Sequence, residues 1–370
     1  MPRSTRLGFQ PPDVGEEEIA AVAETLRSGW LTTGPNAAEL ESRAATLLEA
    51  EHVLAVASGT AAMHLALVAL GVGAGDEVIT TPITWPATAN VIVHTGATPV
   101  FADVRDDDLN IDPERVAELV GERTKAILPV HLAGQPCDLE PLWELDVPVI
   151  EDAAHAFESA YRGRKIGGLS DATCFSLYAT KNVTAGEGGL IATNRAGVAD
   201  AIRDLRLMRR GDGSLYDITV PGYKANLSDV LAAIALVQLD KLERHRAIRT
   251  RQFALYDEGV ADLDGITPLA RDERDVHALH LYVVRIDAER AGATRDEYQR
   301  ALGEELISTS IHFLPVHRLA WYRERFAAEC PVAERAGAEV LSLPLSPAHS
   351  DDDIRDAIDA LRRVHARFTA

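Results

Sequence analysis

Apolar positions recur at helical spacing early in the chain: Ile19, Val22, Ala23 and Leu26 share one face of residues 16–28, behind an acidic first turn and ahead of Gly29. An amphipathic helix is predicted there, with the glycine as its stop. From residue 52 the texture changes to short apolar runs at 52–57, 78–81, 98–104, 126–131 and 147–151. Segments with a helical pattern separate them, at 61–70, 86–94, 113–120 and 139–145. Short unalternated runs interleaved with helices predict parallel strands covered on both faces, the doubly wound α/β class. Two further strand-like runs, 172–178 and 190–193, follow with no long helix between them. The sheet is therefore expected to become mixed near that edge.

From Leu227 to Tyr256 breakers are few, and Val230, Ile234, Val237 and Leu242 keep helical spacing, which predicts one long helix. Beyond it, strands are expected at 279–286 and 307–313 and helices at 294–306 and 354–367, an α+β texture. The expected division is a large domain over residues 1–245 with the opening helix, and a smaller α+β domain over residues 246–370.

Composition narrows the function classes. At 370 residues and 46% apolar, the chain can fill more than one core, so extensive disorder is excluded. No stretch is apolar enough for a membrane helix, and residues 1–10 lack the apolar centre of a secretion signal. A cytoplasmic protein with no membrane partner is expected. The 37 basic and 57 acidic side chains give a formal net charge of −20, which argues against a nucleic-acid surface. Cys137, Cys174 and Cys330 are too scattered for a disulfide framework or a metal site, so buried reduced thiols are expected.

Three motifs carry chemistry. In Ala57-Ser58-Gly59-Thr60-Ala61-Ala62, between a strand and a helix, backbone N–H groups, hydroxyls and the helix dipole can cradle a phosphate; an ordinary N-cap is the plainer account. Glu151 and Asp152 end an apolar strand, where α/β sheets bind ligands, and strand alternation lets at most one of them face the site. Lys181 follows the strand-like Phe175-Ser176-Leu177-Tyr178 and precedes the glycines of Gly186-Glu187-Gly188-Gly189, a compact setting that suits a Schiff-base lysine. Together they are the three anchors of pyridoxal phosphate: a cup for the phosphate, a carboxylate for the pyridinium nitrogen and an amine for the aldehyde. Trp85 could supply a flat face for the ring.

Weaker signals fall away. Gly71-Val72-Gly73-Ala74-Gly75-Asp76 lacks the third glycine of a dinucleotide loop and follows a helix, so it reads as a helix end and turn. His312 and His317 flank Pro315 at a spacing unsuited to a metal pair, and no G-x-S-x-G elbow is present.

The ordered motifs Trp30-Leu31-Thr32-Thr33-Gly34-Pro35, Ser58-Gly59-Thr60, Gly75-Asp76-Glu77-Val78, Glu151-Asp152-Ala153-Ala154-His155, Thr180-Lys181-Asn182, Gly186-Glu187-Gly188-Gly189 and Pro221-Gly222-Tyr223-Lys224 resemble the DegT-type nucleotide-sugar aminotransferases. These are fold-type I pyridoxal-phosphate enzymes. The likeness is greatest to the branch that forms UDP-4-amino-4-deoxy-L-arabinose from a 4-ketopentose, and extends to Trp85, Asn226 and Ile311-His312-Phe313 followed by His317. It implies a homodimer with shared active sites, glutamate as amino donor and a sugar nucleotide as acceptor. It assigns Lys181 and Asp152 to catalysis, and Gly59, Thr60, Trp85, His155, Ser176 and Asn226, the last from the partner subunit, to the cofactor. Thr33, Tyr178 and His312 become the candidates for substrate, and Arg209 and Arg210, a basic pair, for the diphosphate. The likeness fades over residues 208–221, and Ala225 stands where relatives carry an aromatic residue, which leaves the sugar open. C3 amination, and a regulatory protein that binds the cofactor without turnover, remain the alternatives.

Overall fold

A computed structural model describes residues 3–208, 218 and 220–370. A three-stranded and a four-stranded sheet meet through bridges from Ile127 to Val149 and from Val130 to Asp152. The combined layer runs Thr98–Phe101, Glu77–Thr80, Thr124–Leu128, Ile150–Asp152, Ala172–Ser176, Gly189–Thr193, His52–Val56. Among these strands Gly189–Thr193 alone runs against the rest, so the sheet is mixed at the expected edge.

Side-chain alternation explains why each strand reads as an unbroken apolar run. Val53, Ala55, Ile79, Ile127, Phe175 and Leu190 enter one core, where the helices Pro35–Leu48 and Asp229–Asp240 pack. Their neighbours Leu54, Val56, Val78, Ala126, Cys174 and Ile191 enter another, beneath the helices Gly59–Ala69 and Ala196–Leu207. Each fully buried Val, Leu, Ile or Phe contributes roughly 1.5–3 kcal/mol, and both faces of the layer collect it. The three cysteines are buried and free, as expected.

A second sheet, Ile266–Pro268, Tyr282–Ile286 and Val340–Leu343, is antiparallel and packs against the helices Leu242–Val260, Arg295–Glu304 and Asp351–Thr369. Leu7 sits in this core and donates its N–H to Leu306 O at 2.8 Å, so the start of the chain packs with its end.

Two expected elements differ. The long helix is two, Asp229–Asp240 and Leu242–Val260, joined at Lys241. No glycine or proline marks that junction. It is held by tertiary ion pairs from Lys241 Nζ to Glu17 at 2.8 Å and Glu18 at 2.6 Å on the opening helix Glu16–Ser28. Residues 307–313 form isolated bridges at Ile307 and Ser310 in place of a strand. The position beside Tyr282–Ile286 is taken by Val340–Leu343, all four of whose residues are buried, whereas 308–310 is Ser-Thr-Ser.

Candidate active site

The carboxyl ends of the parallel strands converge on the sequence-predicted residues. Ser58 is an N-cap, as the plainer account had it: its Oγ accepts from Ala61 N at 3.0 Å, and its carbonyl accepts from Ala62 N at 2.9 Å. Those two bonds leave the Gly59 and Thr60 N–H groups without an intrahelical partner, at the positive end of an 11-residue helix. The turn also touches the strand behind it. A Cβ on Gly59 would lie 3.0 Å from Ser176 Cβ, and one on Gly189 would lie 2.5 Å from the Ser58 carbonyl. Gly59, Thr60 and Ser176 thus come together as a cup. Gly189→Ala would push backbone against backbone, so a loss of about 2–3 kcal/mol is expected, read as a lower Tm of the apoprotein together with weaker cofactor binding. An unchanged Tm would show that the turn can shift.

Glu151 and Asp152 part company as strand alternation requires. Glu151 points inward, fully buried, and accepts from Thr173 Oγ1 at 3.0 Å. Its other oxygen lies 2.8 Å from His131 Nε2, and because His131 Nδ1 accepts from Cys137 N at 2.9 Å, Nε2 carries the proton and donates. Asp152 faces the site, with Oδ2 accepting from Thr88 Oγ1 at 2.8 Å and Oδ1 from Ala154 N at 3.1 Å. Burial raises its carboxyl, against the pull of those donors and of Lys181.

Lys181 lies in the turn after Ala172–Ser176, its N–H donating to Tyr178 O at 2.9 Å. Burial brings its amine from 10.5 down to about 8, while the Asp152 carboxylate acts in the opposite direction. Burial, assisted by the positive charge of Lys181, depresses His155 well below its ordinary value and His312 to about 3, so both imidazoles are neutral. His155 Nδ1 is buried without a partner among the described residues, and its ring lies 4.5 Å from that of His280 and 6.0 Å from that of Phe313. Phe313 is also 6.3 Å from Trp85, which is 66% exposed and so has a free face. His312 Nδ1 is tied to Ser342 Oγ at 2.8 Å and its ring stacks on Phe9.

Lys181, Asp152, His155 and His312 therefore share one electrostatic environment. Thr33 and Asn226 stand together in another: Asn226 Nδ2 donates to Thr33 Oγ1 at 2.6 Å, and Val56, at the end of the cup's strand, bridges to Asn226. Tyr178 is exposed beside Gly186, and Arg209 and Arg210 lie outside the described residues. His317 is buried against Glu334 and Phe101 and is not part of the site. Sequence reasoning missed Thr88, which sits one residue into the helix Ala87–His94, and His280, whose Nδ1 lies 2.9 Å from Asn182 Oδ1. Neither carries a local signal; they reach the site through strand order alone.

A half-buried amine near neutrality, a buried carboxylate held by donors, a cup lined by unpaired N–H groups and an unpartnered imidazole fit pyridoxal phosphate. Fold and site together define a fold-type I, pyridoxal-phosphate-dependent aminotransferase. Residues 12–362 match the model of the DegT/DnrJ/EryC1/StrS aminotransferase family, and the chain belongs to that family. It is 44% identical, over 98% of each chain, to the spore coat polysaccharide biosynthesis protein SpsC of Bacillus subtilis (strain 168). Among solved structures, Spr1654 of Streptococcus pneumoniae, assigned as a sugar aminotransferase and solved in its PLP form, matches with TM-score 0.92 and 33% identity over 98% and 99% of the two chains. DesI, solved in the presence of its TDP-sugar product, matches with TM-score 0.92 and 35% identity over 99% and 94%. Among the described residues no helix is long and apolar enough to cross a membrane, and no group of three His, Cys, Asp or Glu side chains could hold a metal ion.

Proposed function

We propose that this enzyme transfers an amino group from glutamate to C4 of a nucleotide-diphospho-4-ketosugar, a 4-ketopentose or a 4-keto-6-deoxyhexose. The observation that carries the reading is Lys181, an amine brought to about 8 next to a carboxylate at the carboxyl end of the sheet. Pyridoxal phosphate supplies a carbonyl for an amine to attack and a ring that withdraws electrons when its nitrogen is protonated. Gly59, Thr60 and Ser176 hold its phosphate, Asp152 keeps the proton on its nitrogen, and Trp85 and His155 take its two faces. Lys181, largely neutral above pH 8, would take the proton from the carbon that bears the amino nitrogen and return it on the far side of that nitrogen, a 1,3-shift. His312 acts as a neutral partner for the sugar, with Nδ1 held by Ser342 and Nε2 left for a hydroxyl. Thr33 and Tyr178 complete the sugar's surroundings. Arg209 and Arg210 are assigned to the diphosphate on their charge alone.

A homodimer with shared sites belongs to the same reading. Asp229 holds the segment after Trp30 by accepting from the N–H groups of Gly34, Asn36 and Ala37. Trp30 and Leu31, just before that segment, are exposed, and Asn226 links it to the cup's strand through Thr33 and Val56, as a residue offered to a partner would be. SpsC and DesI, one named for polysaccharide biosynthesis and one solved with a TDP-sugar, support a sugar nucleotide as acceptor.

Glutamate alone is expected to bleach the visible absorbance of the holoenzyme, and a 4-keto sugar nucleotide to restore it. A panel of UDP- and dTDP-linked sugars reads out base and sugar. Restoration by a 3-keto sugar in place of the 4-keto compound would move the amination to C3; a band indifferent to glutamate would overturn the donor assignment.

A further inference from the structure

Asp152 stands at the end of a hydrogen-bonded chain of hydroxyls whose direction follows from proton counting. Thr84 Oγ1 and Thr88 Oγ1 are 2.7 Å apart, and Thr88 Oγ1 is 2.8 Å from Asp152 Oδ2. All three residues are buried, with Thr84 and Thr88 at 1% and 0% exposure. The Thr88 hydroxyl has one proton and two competing acceptors, the carboxylate and the Trp85 carbonyl at 3.2 Å. The shorter, charge-assisted bond to the carboxylate wins. Thr88 can then only accept from Thr84, and Thr84 has no other hydrogen-bond partner among the described residues. The order is therefore Thr84 to Thr88 to Asp152.

We infer that Thr84 and Thr88 are positioning residues that hold Asp152 as a carboxylate aimed at the ring nitrogen of the cofactor, Thr84 acting solely through Thr88. This rests on the assignment of Asp152 to that nitrogen. Every protein group bonded to the carboxylate is a donor: Thr88 Oγ1 on one oxygen and the Ala154 N–H on the other. A proton on Oδ2 directed at Thr88 would turn that hydroxyl away to the longer Trp85 contact, and neither oxygen meets a protein acceptor for such a proton as the chain is arranged. The chain thus opposes the effect of burial, which raises this carboxyl. The two hydroxyls flank Trp85, so the same turn that presents the indole also orients the acid.

The test is titration of the apoprotein with pyridoxal phosphate, followed by absorbance, for Thr88→Val, Thr88→Ser, Thr84→Val and the Thr84→Val/Thr88→Val pair. Loss of a hydrogen bond to a charged group predicts about tenfold weaker binding in Thr88→Val and about threefold in Thr84→Val. Thr88→Ser keeps the hydroxyl and is expected to bind as the natural protein does. The double variant is expected to match Thr88→Val, because removing the middle link already disconnects the first. In isotope-labelled cofactor, NMR of the ring nitrogen should move toward the unprotonated position in Thr88→Val and not in Thr88→Ser. Additive losses in the pair, an unaffected Thr84→Val, or a Thr88→Ser as weak as Thr88→Val would each overturn the relay. Asp152→Asn separates the two readings. If that variant binds cofactor normally, the Asp152 assignment fails; if it binds weakly while Thr88→Val does not, the relay alone fails.

Discussion

Lys181→Ala abolishes the visible cofactor absorbance and lowers amino transfer by on the order of 10⁴-fold or more. In the proposed function the amine is both the attachment point and the proton carrier, and no other lysine is placed to replace it in the turn between Ser176 and Gly186. Spectral titration and single-turnover rates with glutamate read the two losses separately. Attachment of cofactor to the apoprotein needs the neutral amine, so its rate should fall about tenfold per pH unit below about 8. The same shift has a stability cost with a definite sign. The folded-state value lies below the unfolded one, so the folded protein binds fewer protons between about 8 and 10.5, and stability rises with pH across that window. Below it the penalty is fully present, at most about 3 kcal/mol after allowance for partial exposure. Lys181→Met, which keeps bulk and removes charge, should therefore raise the Tm of the apoprotein at neutral pH. A lower Tm would mean that the buried amine is held by contacts that outweigh its desolvation.

Asp152→Asn should leave cofactor attachment possible yet slow amino transfer by on the order of 10³-fold. Asparagine keeps the shape and can still accept from the Ala154 N–H. It cannot hold a proton on the ring nitrogen by opposite charge, and an amide nitrogen facing Thr88 would reverse that hydrogen bond and turn the Thr88 hydroxyl to the longer Trp85 contact. Single-turnover rates with glutamate measure the loss. Undiminished rates would detach Asp152 from the chemistry, and Glu151 offers no substitute, being fully buried against His131 and Thr173.

Much of the site is legible along the chain because its anchors lie at strand ends, where a strand stops, a turn begins and special residues stand next to one another. Ser58-Gly59-Thr60, Glu151-Asp152 and the turn holding Lys181 are each local, and period-two alternation alone separates Asp152 from Glu151. The orienting groups are not legible in this way. Thr88 lies 64 positions from Asp152 and His280 lies 98 from Asn182, and each looks like an ordinary residue of its own segment. The helix break at Lys241 escapes a reading by breakers for the same reason, since acids on the opening helix hold it.

What the sequence by itself determined was the α/β class, the mixed edge and the three motifs proposed to anchor the cofactor, because burial on two faces and turn chemistry leave marks at short range. The tertiary structure alone decided that the Lys181 amine is brought down to about 8, that His155 and His312 are uncharged, and which donors meet Asp152. Those properties depend on desolvation and on charges brought together from distant segments, and neither exists until the sheet has closed around them.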